Sequence, residues 1–131
     1  MSEFRFSKRS LMNLKGVHPD LTAVVVTALY RYTEVDFAVT EGVRSETRQR
    51  FLVNNGHSQT MNSKHLKQQD TFGHAVDLAP YVDGGIPWSK PEYFRKVANA
   101  VKAAAEDLDI KIVWGGDWES FIDMPHFQLE V

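Results

Sequence analysis

The chain has 131 residues, of which 43% are hydrophobic, and a formal net charge of −2. That length suits one globular domain and leaves no room for another, so we expect residues 1–131 to form a single unit. The near-neutral charge excludes a general attraction to nucleic acid or anionic membranes, and the absence of cysteine excludes disulfides and thiolate chemistry.

The N-terminal part of the chain is predicted to contain three helices and a strand. Ser7 could cap a short helix over residues 7–14, and Pro19 begins a segment with apolar side chains at helical spacing. The stretch VDFAVTEG, residues 35–42, alternates in the manner of a strand. Ser45 offers a cap for a third helix that ends before an Asn-Gly pair.

The C-terminal part is predicted to supply the remaining strands and the longest helix. A polar stretch, residues 57–71, precedes the strand-like HAVDLAP. Ser89, an early proline and many helix formers predict a helix over residues 89–109. IKIVWGG and HFQLEV predict two more strands. The expected fold class is α+β, with a small antiparallel sheet packed against three to four helices.

Two of the predicted strands carry polar residues that could meet on one face of the sheet. Because successive strand residues point to opposite faces, Asp77 lies between two alanines on one face, and His126 shares a face with Gln128. If these strands are neighbours, Asp77 and His126 project toward a common point. Without cysteine, such a pair favours a catalytic zinc site, which requires a third protein ligand.

The third ligand has several candidates among the remaining histidines. His18 adjoins a helix-starting proline and His57 lies in an Asn-Gly loop, so both are more typical of surface residues. His74 points away from the Asp77 face by strand alternation. His65, in the loop before the strand, is the preferred ligand, and His74 remains its rival.

Four motifs occur in a characteristic order: EGVRSETRQ, SKH, GHAVDLAP and WGGDWESFIDMPHFQLEV. Together they resemble the zinc peptidoglycan peptidases of the D-alanyl-D-alanine carboxypeptidase/dipeptidase type, and most closely the phage endolysins that act as L-alanyl-D-glutamate endopeptidases. The resemblance covers about residues 36–131, with gaps. Family members usually have a shorter spacing between the first histidine and the glycine, whereas LKQQDTF separates His65 from Gly73 here.

The resemblance implies a role for each motif. It implies that His65, Asp77 and His126 bind Zn²⁺ on one face of the sheet, that Asp123 is the catalytic acid/base, and that Arg44 faces the substrate. A carboxylate three residues before a zinc ligand could accept a proton from water and return it to the leaving amine. Pro125 would restrict the backbone between these two residues.

The surrounding polar residues leave several roles open. Arg44 could stabilise the oxyanion or hold a substrate carboxylate, and these two roles stay unseparated. Ser63 could orient the zinc-binding loop or the substrate, and Gln49 could contact the substrate from the next helix. Asp117 could support a zinc-ligating histidine or cap a turn.

Three aromatic residues lie near the glycine turn that precedes the last strand. Trp114, Trp118 and Phe121 could form a wall for a substrate, but aromatic residues in such a position usually pack in the core. We therefore expect packing.

The expected function is hydrolysis of the L-alanyl-D-glutamate bond of peptidoglycan stem peptides by a zinc endopeptidase. The alternatives are a D-alanyl-D-alanine carboxypeptidase or dipeptidase, and a non-catalytic cell-wall binding module. No signal peptide or membrane span is recognisable. We therefore expect a monomeric phage enzyme without a separate wall-binding domain, held in the host cytoplasm until the membrane is disrupted, with no nucleic-acid partner and no stable membrane insertion.

Overall fold

The computed structural model describes residues 3–58 and 60–130 and has a four-stranded antiparallel sheet at its centre. The strands are β1 (Phe37–Glu41), β2 (Ala75–Pro80), β3 (Ile112–Trp114) and β4 (His126–Leu129), and they lie in the order β1-β2-β4-β3. The helices are α1 (Lys8–Asn13), α2 (Pro19–Thr27), α3 (Glu46–Asn54) and α4 (Pro91–Asp107). The predicted α+β class, with its antiparallel sheet, is confirmed.

The helix starts follow the capping predictions with one exception. The hydroxyl groups of Ser7 and Ser45 accept hydrogen bonds from the backbone N–H groups of Ser10 and Arg48. The prediction that Ser89 caps the longest helix is wrong, because α4 begins one residue later, behind Lys90, without a side-chain cap. Pro at the first helical position already fixes φ there, so this start needs less help from a cap.

Two other segments differ from their predicted form. The helix that begins at Pro19 ends in a π-helical turn, Ala28–Tyr32, rather than in a regular α-helix. Val131, the last residue of the predicted final strand, lies outside the described residues.

The sheet has one apolar face and one polar face. Val76, Leu78 and Phe127 are fully buried on the apolar face, where α4 packs on β2 and β3 and α2 packs on α4. Helix α4 presents its buried side chains at helical spacing, among them Val97, Val101 and Ala104 at successive turns. Because the apolar face is covered, the polar face is the one available for chemistry.

None of the helices formed by residues 3–58 and 60–130 is long and apolar enough to cross a bilayer.

Strand β1 is interrupted by a β-bulge near its end. Val39 pairs with Leu78, but the next pair along the ladder joins Glu41 to Asp77, so Thr40 is an extra residue on β1. Paired residues of adjacent strands project to the same face of a sheet. The bulge thus brings Glu41 to the polar face beside Asp77.

Candidate active site

Three side chains converge on the polar face where β2 pairs with β4. Asp77 and His126 are direct partners across the two strands, as the predicted alternation requires, and His65 reaches them from the preceding loop. The Asp77 Oδ1 atom lies 3.2 Å from His65 Nε2 and 3.6 Å from His126 Nδ1. The two histidine nitrogens are 3.2 Å apart. The structure therefore brings all three predicted zinc ligands together.

The outer nitrogens of the two histidines fix which inner nitrogens carry lone pairs. His65 Nδ1–H donates to the backbone oxygen of Gly42 at 2.9 Å, and His126 Nε2–H donates to Gln128 Oε1 at 2.8 Å. Because a carbonyl oxygen only accepts, the opposite nitrogen of each neutral ring is a free lone pair directed at Asp77. Sequence reasoning missed this role for Gln128, although its place two residues after His126 on the same strand face was a usable signal.

The donor set fits zinc. Tetrahedral zinc with nitrogen and oxygen ligands at roughly 2.0–2.1 Å requires donor atoms about 3.3–3.4 Å apart, close to the separations found between these three residues. In the metal-free protein, burial opposes ionisation of Asp77, but hydrogen bonds from His126 and His65, which an inner nitrogen donates only when it carries a proton, hold the pKa of Asp77 well below the ordinary value. Burial also disfavours charge on His126, yet its hydrogen bond with Asp77 raises the pKa of His126. Protons therefore compete with a metal ion for His126 Nδ1.

The inserted residues LKQQDTF form a compact turn that leaves His65 in place. Gln68 N–H bonds to the Phe72 oxygen at 2.9 Å, and Lys67 pairs with Gly73 in an antiparallel bridge. The two ends of the insertion are therefore adjacent, as expected for a loop that varies in length. Ser63 lies at the start of this loop, where its Oγ accepts a hydrogen bond from His65 N–H at 3.1 Å.

His74, the rival ligand, belongs to a separate group with His18 and Asp70. The His74 Nε2 atom bonds to Asp70 Oδ2 at 2.7 Å. His18 Nδ1 accepts the Asp20 N–H at the start of α2, so His18 Nε2 carries the proton of the neutral ring and has no lone pair for a metal. His18 Nε2 also lies 3.8 Å from Asp70 Oδ2, so this second group links the inserted loop to the start of α2, and we call it the clamp.

A cavity of about 680 Å³ opens above the three converging residues. Asp123 lies in its wall, and the partial loss of hydration there, followed by the negative charge of Asp77, raises the pKa of Asp123 above its ordinary value. Trp118 and Phe121 also line the cavity, and the Phe121 side chain is 69% exposed. The expectation that these two aromatic residues pack in the core is therefore wrong.

Trp114 and Asp117, which precede these two aromatic residues, make contacts within the fold rather than in the cavity. Trp114 is buried and stacks on Phe127 at a ring separation of 6.3 Å, so for this residue the packing prediction is confirmed. Asp117 accepts a hydrogen bond from Lys102 Nζ at 2.7 Å on the surface, and this salt bridge matches neither role considered for it.

Arg44 lies in the cavity wall, held by two neighbours. Its Nε and Nη2 donate to the two carboxylate oxygens of Glu41, and its Nη1 donates to Gln49 Oε1 at 2.7 Å. Gln49 is fully buried, and its amide nitrogen donates to Ser58 and Thr60. We therefore assign Gln49 to the support of Arg44 rather than to contact with a substrate.

Gly115 permits the close approach of the segment that carries Asp123. A Cβ atom at residue 115 would lie 2.3 Å from the Asp123 backbone oxygen and 3.1 Å from His126 Cβ. We expect Gly115→Ala to lower the free energy of unfolding by roughly 1–3 kcal/mol, as overpacking typically does, and to impair any activity that uses both residues. Thermal unfolding measures the first effect. Gly85→Ala is the control, because a Cβ there meets nothing within 4 Å, and equal stability of the two variants would contradict the prediction.

Comparisons with known proteins agree on one family. The family model for phage L-alanyl-D-glutamate peptidases matches residues 1–129. The L-alanyl-D-glutamate peptidase of Escherichia phage T5 is 34% identical over 120 residues, which cover 89% of this chain and 83% of that protein. The peptidase of the same name from Listeria phage A118 is 31% identical over 131 residues, 98% of this chain but only 43% of the relative.

A solved structure extends the similarity to the fold. The crystal structure of the Serratia marcescens L-Ala D-Glu endopeptidase ChiX superposes with a TM-score of 0.87 at 46% sequence identity. The match covers 98% of this chain and 92% of that one. Sequence and fold are thus shared over nearly the whole length of both chains.

Proposed function

This chain belongs to the phage L-alanyl-D-glutamate peptidase family, and we propose that it hydrolyses the L-Ala–D-Glu amide of peptidoglycan stem peptides with one zinc ion. The observation that carries the proposal is the convergence of His65, Asp77 and His126 beneath a cavity that also holds Asp123. When bound, zinc polarises a carbonyl and lowers the pKa of a coordinated water to about 7.

Asp123 is the proton carrier in this proposal. Its carboxylate takes a proton from the water that attacks the carbonyl carbon and passes it to the amide nitrogen as the C–N bond breaks. Partial loss of hydration, the largest cause of its raised pKa in the metal-free protein, suits both steps, because it makes the ionised carboxylate a stronger base. No other acidic residue of the cavity wall is free for this task within the described chain, since Glu41 pairs with Arg44 and Asp77 with the histidines.

Arg44 acts on the substrate oxygen in this arrangement. Its Nη2 lies 3.9 Å from Asp77 Oδ2, which places the guanidinium beside the proposed zinc ligands rather than at the cavity mouth. A cation at that position stabilises negative charge as it develops on the carbonyl oxygen. Ser63 holds the loop of His65, while Trp118 and Phe121 shield the reacting bond from bulk water.

The charge of the cavity suits an anionic peptide. Three basic side chains, Arg44, Arg48 and Lys64, line it together with three acidic ones. A divalent ion would turn this balanced lining into a net positive one. The D-glutamate of a stem peptide carries a free carboxylate next to the scissile amide, so a positive cavity favours it. As a phage enzyme, the protein would reach this substrate after disruption of the host membrane.

The test is digestion of purified peptidoglycan followed by mass spectrometry of the fragments. We expect the cleaved stem to begin at D-Glu, with L-Ala left on the other fragment, and we expect a chelator to stop cleavage and added Zn²⁺ to restore it. Loss of terminal D-Ala would instead identify a D,D-peptidase. Wall binding without any cleavage product would identify a binding module.

A further inference from the structure

Glu41 stands at the active site only because β1 contains the bulge at Thr40. Strict strand alternation would place Glu41 on the same face as Phe37 and Val39, which are buried in the core. The bulge instead sets Glu41 opposite Asp77, and its side chain enters the cavity wall. Bulges near active sites commonly redirect a side chain in this way.

The contact between Glu41 and Arg44 is bidentate. Arg44 Nε donates to Glu41 Oε1 at 2.8 Å, and Arg44 Nη2 donates to Glu41 Oε2 at 2.6 Å. The Arg44 side chain is only 9% exposed, so water screens this pair weakly. A forked pair of this kind fixes the plane of the guanidinium as well as its position.

The pair leaves part of the guanidinium available. Arg44 has five N–H groups, of which two donate to Glu41 and one to Gln49. One N–H on each of Nη1 and Nη2 is not used by these contacts. Because Nη2 is 3.9 Å from Asp77 Oδ2, the orientation set by Glu41 keeps the guanidinium beside the proposed zinc ligands.

We propose that Glu41 is a positioning residue that acts through Arg44. The proposal rests on the proposed function, in which Arg44 stabilises charge on the carbonyl oxygen of the scissile amide. Without the carboxylate, the contact with Gln49 holds only one end of the guanidinium, and the charge is drawn toward the nearest remaining carboxylate, that of Asp77. Glu41 thus keeps the cation available for the substrate.

Glu41→Gln tests the proposal, because the amide has nearly the same shape but sets an NH₂ group against a guanidinium N–H. In zinc-saturated enzyme we expect kcat to fall on the order of 10- to 100-fold with little change in KM, as for loss of orientation in the transition state. Glu46→Gln is the matched control, because Glu46 is an exposed acid at the start of α3, outside the cavity. An unchanged kcat in Glu41→Gln would overturn the proposal.

A double-mutant cycle separates positioning from a general structural effect. Lysine in Arg44→Lys keeps the charge but lacks the fork that Glu41 holds. In that background we expect Glu41→Gln to change kcat by less than about threefold, because coupled residues are not additive. A full effect in both backgrounds would show that Glu41 does not act through Arg44.

A conservative variant covers the case in which Glu41→Gln folds poorly. Glu41→Asp keeps the negative charge, so we expect its kcat to fall by less than the roughly 10-fold lower limit expected for Glu41→Gln. A larger fall in folded Glu41→Asp would contradict positioning by charge pairing. Failure of the wild-type enzyme to cleave stem peptides would refute the proposed function, whereas normal wild-type cleavage with unaffected Glu41 variants would refute this inference alone.

Discussion

Replacement of His65 by alanine is expected to abolish stoichiometric zinc binding. The imidazole contributes one of three donor atoms that lie 3.2 to 3.6 Å apart, and its outer nitrogen is held by the Gly42 oxygen. Loss of a ligand should weaken binding by more than the roughly 10- to 100-fold that follows loss of a supporting hydrogen bond. Elemental analysis and titration against a competing chelator would measure the change.

His74→Ala is the matched control for this prediction. Both histidines flank the same inserted loop, but His74 bonds to Asp70 in the clamp with α2, away from Asp77. We expect this variant to bind zinc as the wild type does and to show only a lowered melting temperature. Zinc loss in His74→Ala with zinc retained in His65→Ala would reverse the assignment of the third ligand.

Strand periodicity predicted two of the three residues at the centre of the site. Asp77 and His126 were expected to share a face if their strands were neighbours, and the structure pairs them directly across β2 and β4. This inference succeeds because a period of two fixes the face of every residue in a regular strand. His65 was less certain because a loop has no such period, and its position depends on a turn that closes the insertion between Lys67 and Gly73.

Glu41, which sequence reasoning missed, and Phe121, which it misplaced, lie where this regularity fails. Alternation assigns Glu41 to the core face, and the bulge at Thr40 reverses that assignment. An acidic residue at a core-facing strand position, directly before a glycine, was the available signal. Phe121 was expected in the core, but it has a φ of 53° in the loop before Asp123, and an isolated left-handed residue has no pattern in sequence.

Asp123→Asn is expected to remove nearly all cleavage while zinc remains bound. Asparagine keeps the shape of the side chain but cannot accept and return a proton, and general acid–base catalysis contributes about 100- to 10 000-fold. Asp123 is not among the three converging donors, so zinc content should equal that of the wild type. Wild-type cleavage rates in the variant would exclude Asp123 as the proton carrier.

The same substitution should stabilise the metal-free protein at neutral pH. The pKa of Asp123 is raised by folding, so the folded chain holds this proton more tightly than the unfolded chain and loses stability as pH rises through the two pKa values. Asparagine has no such dependence. Because the side chain keeps an exposed surface and water screens its repulsion from Asp77, we expect a gain in melting temperature of only about 1–2 °C at pH 7 in chelator-treated protein. The gain should vanish below about pH 3.9, where the side chain of residue 123 is neutral in both the wild type and the variant. A variant less stable than the wild type at pH 7 would mean that the Asp123 carboxylate supports the fold, which would leave its raised pKa without a physical cause.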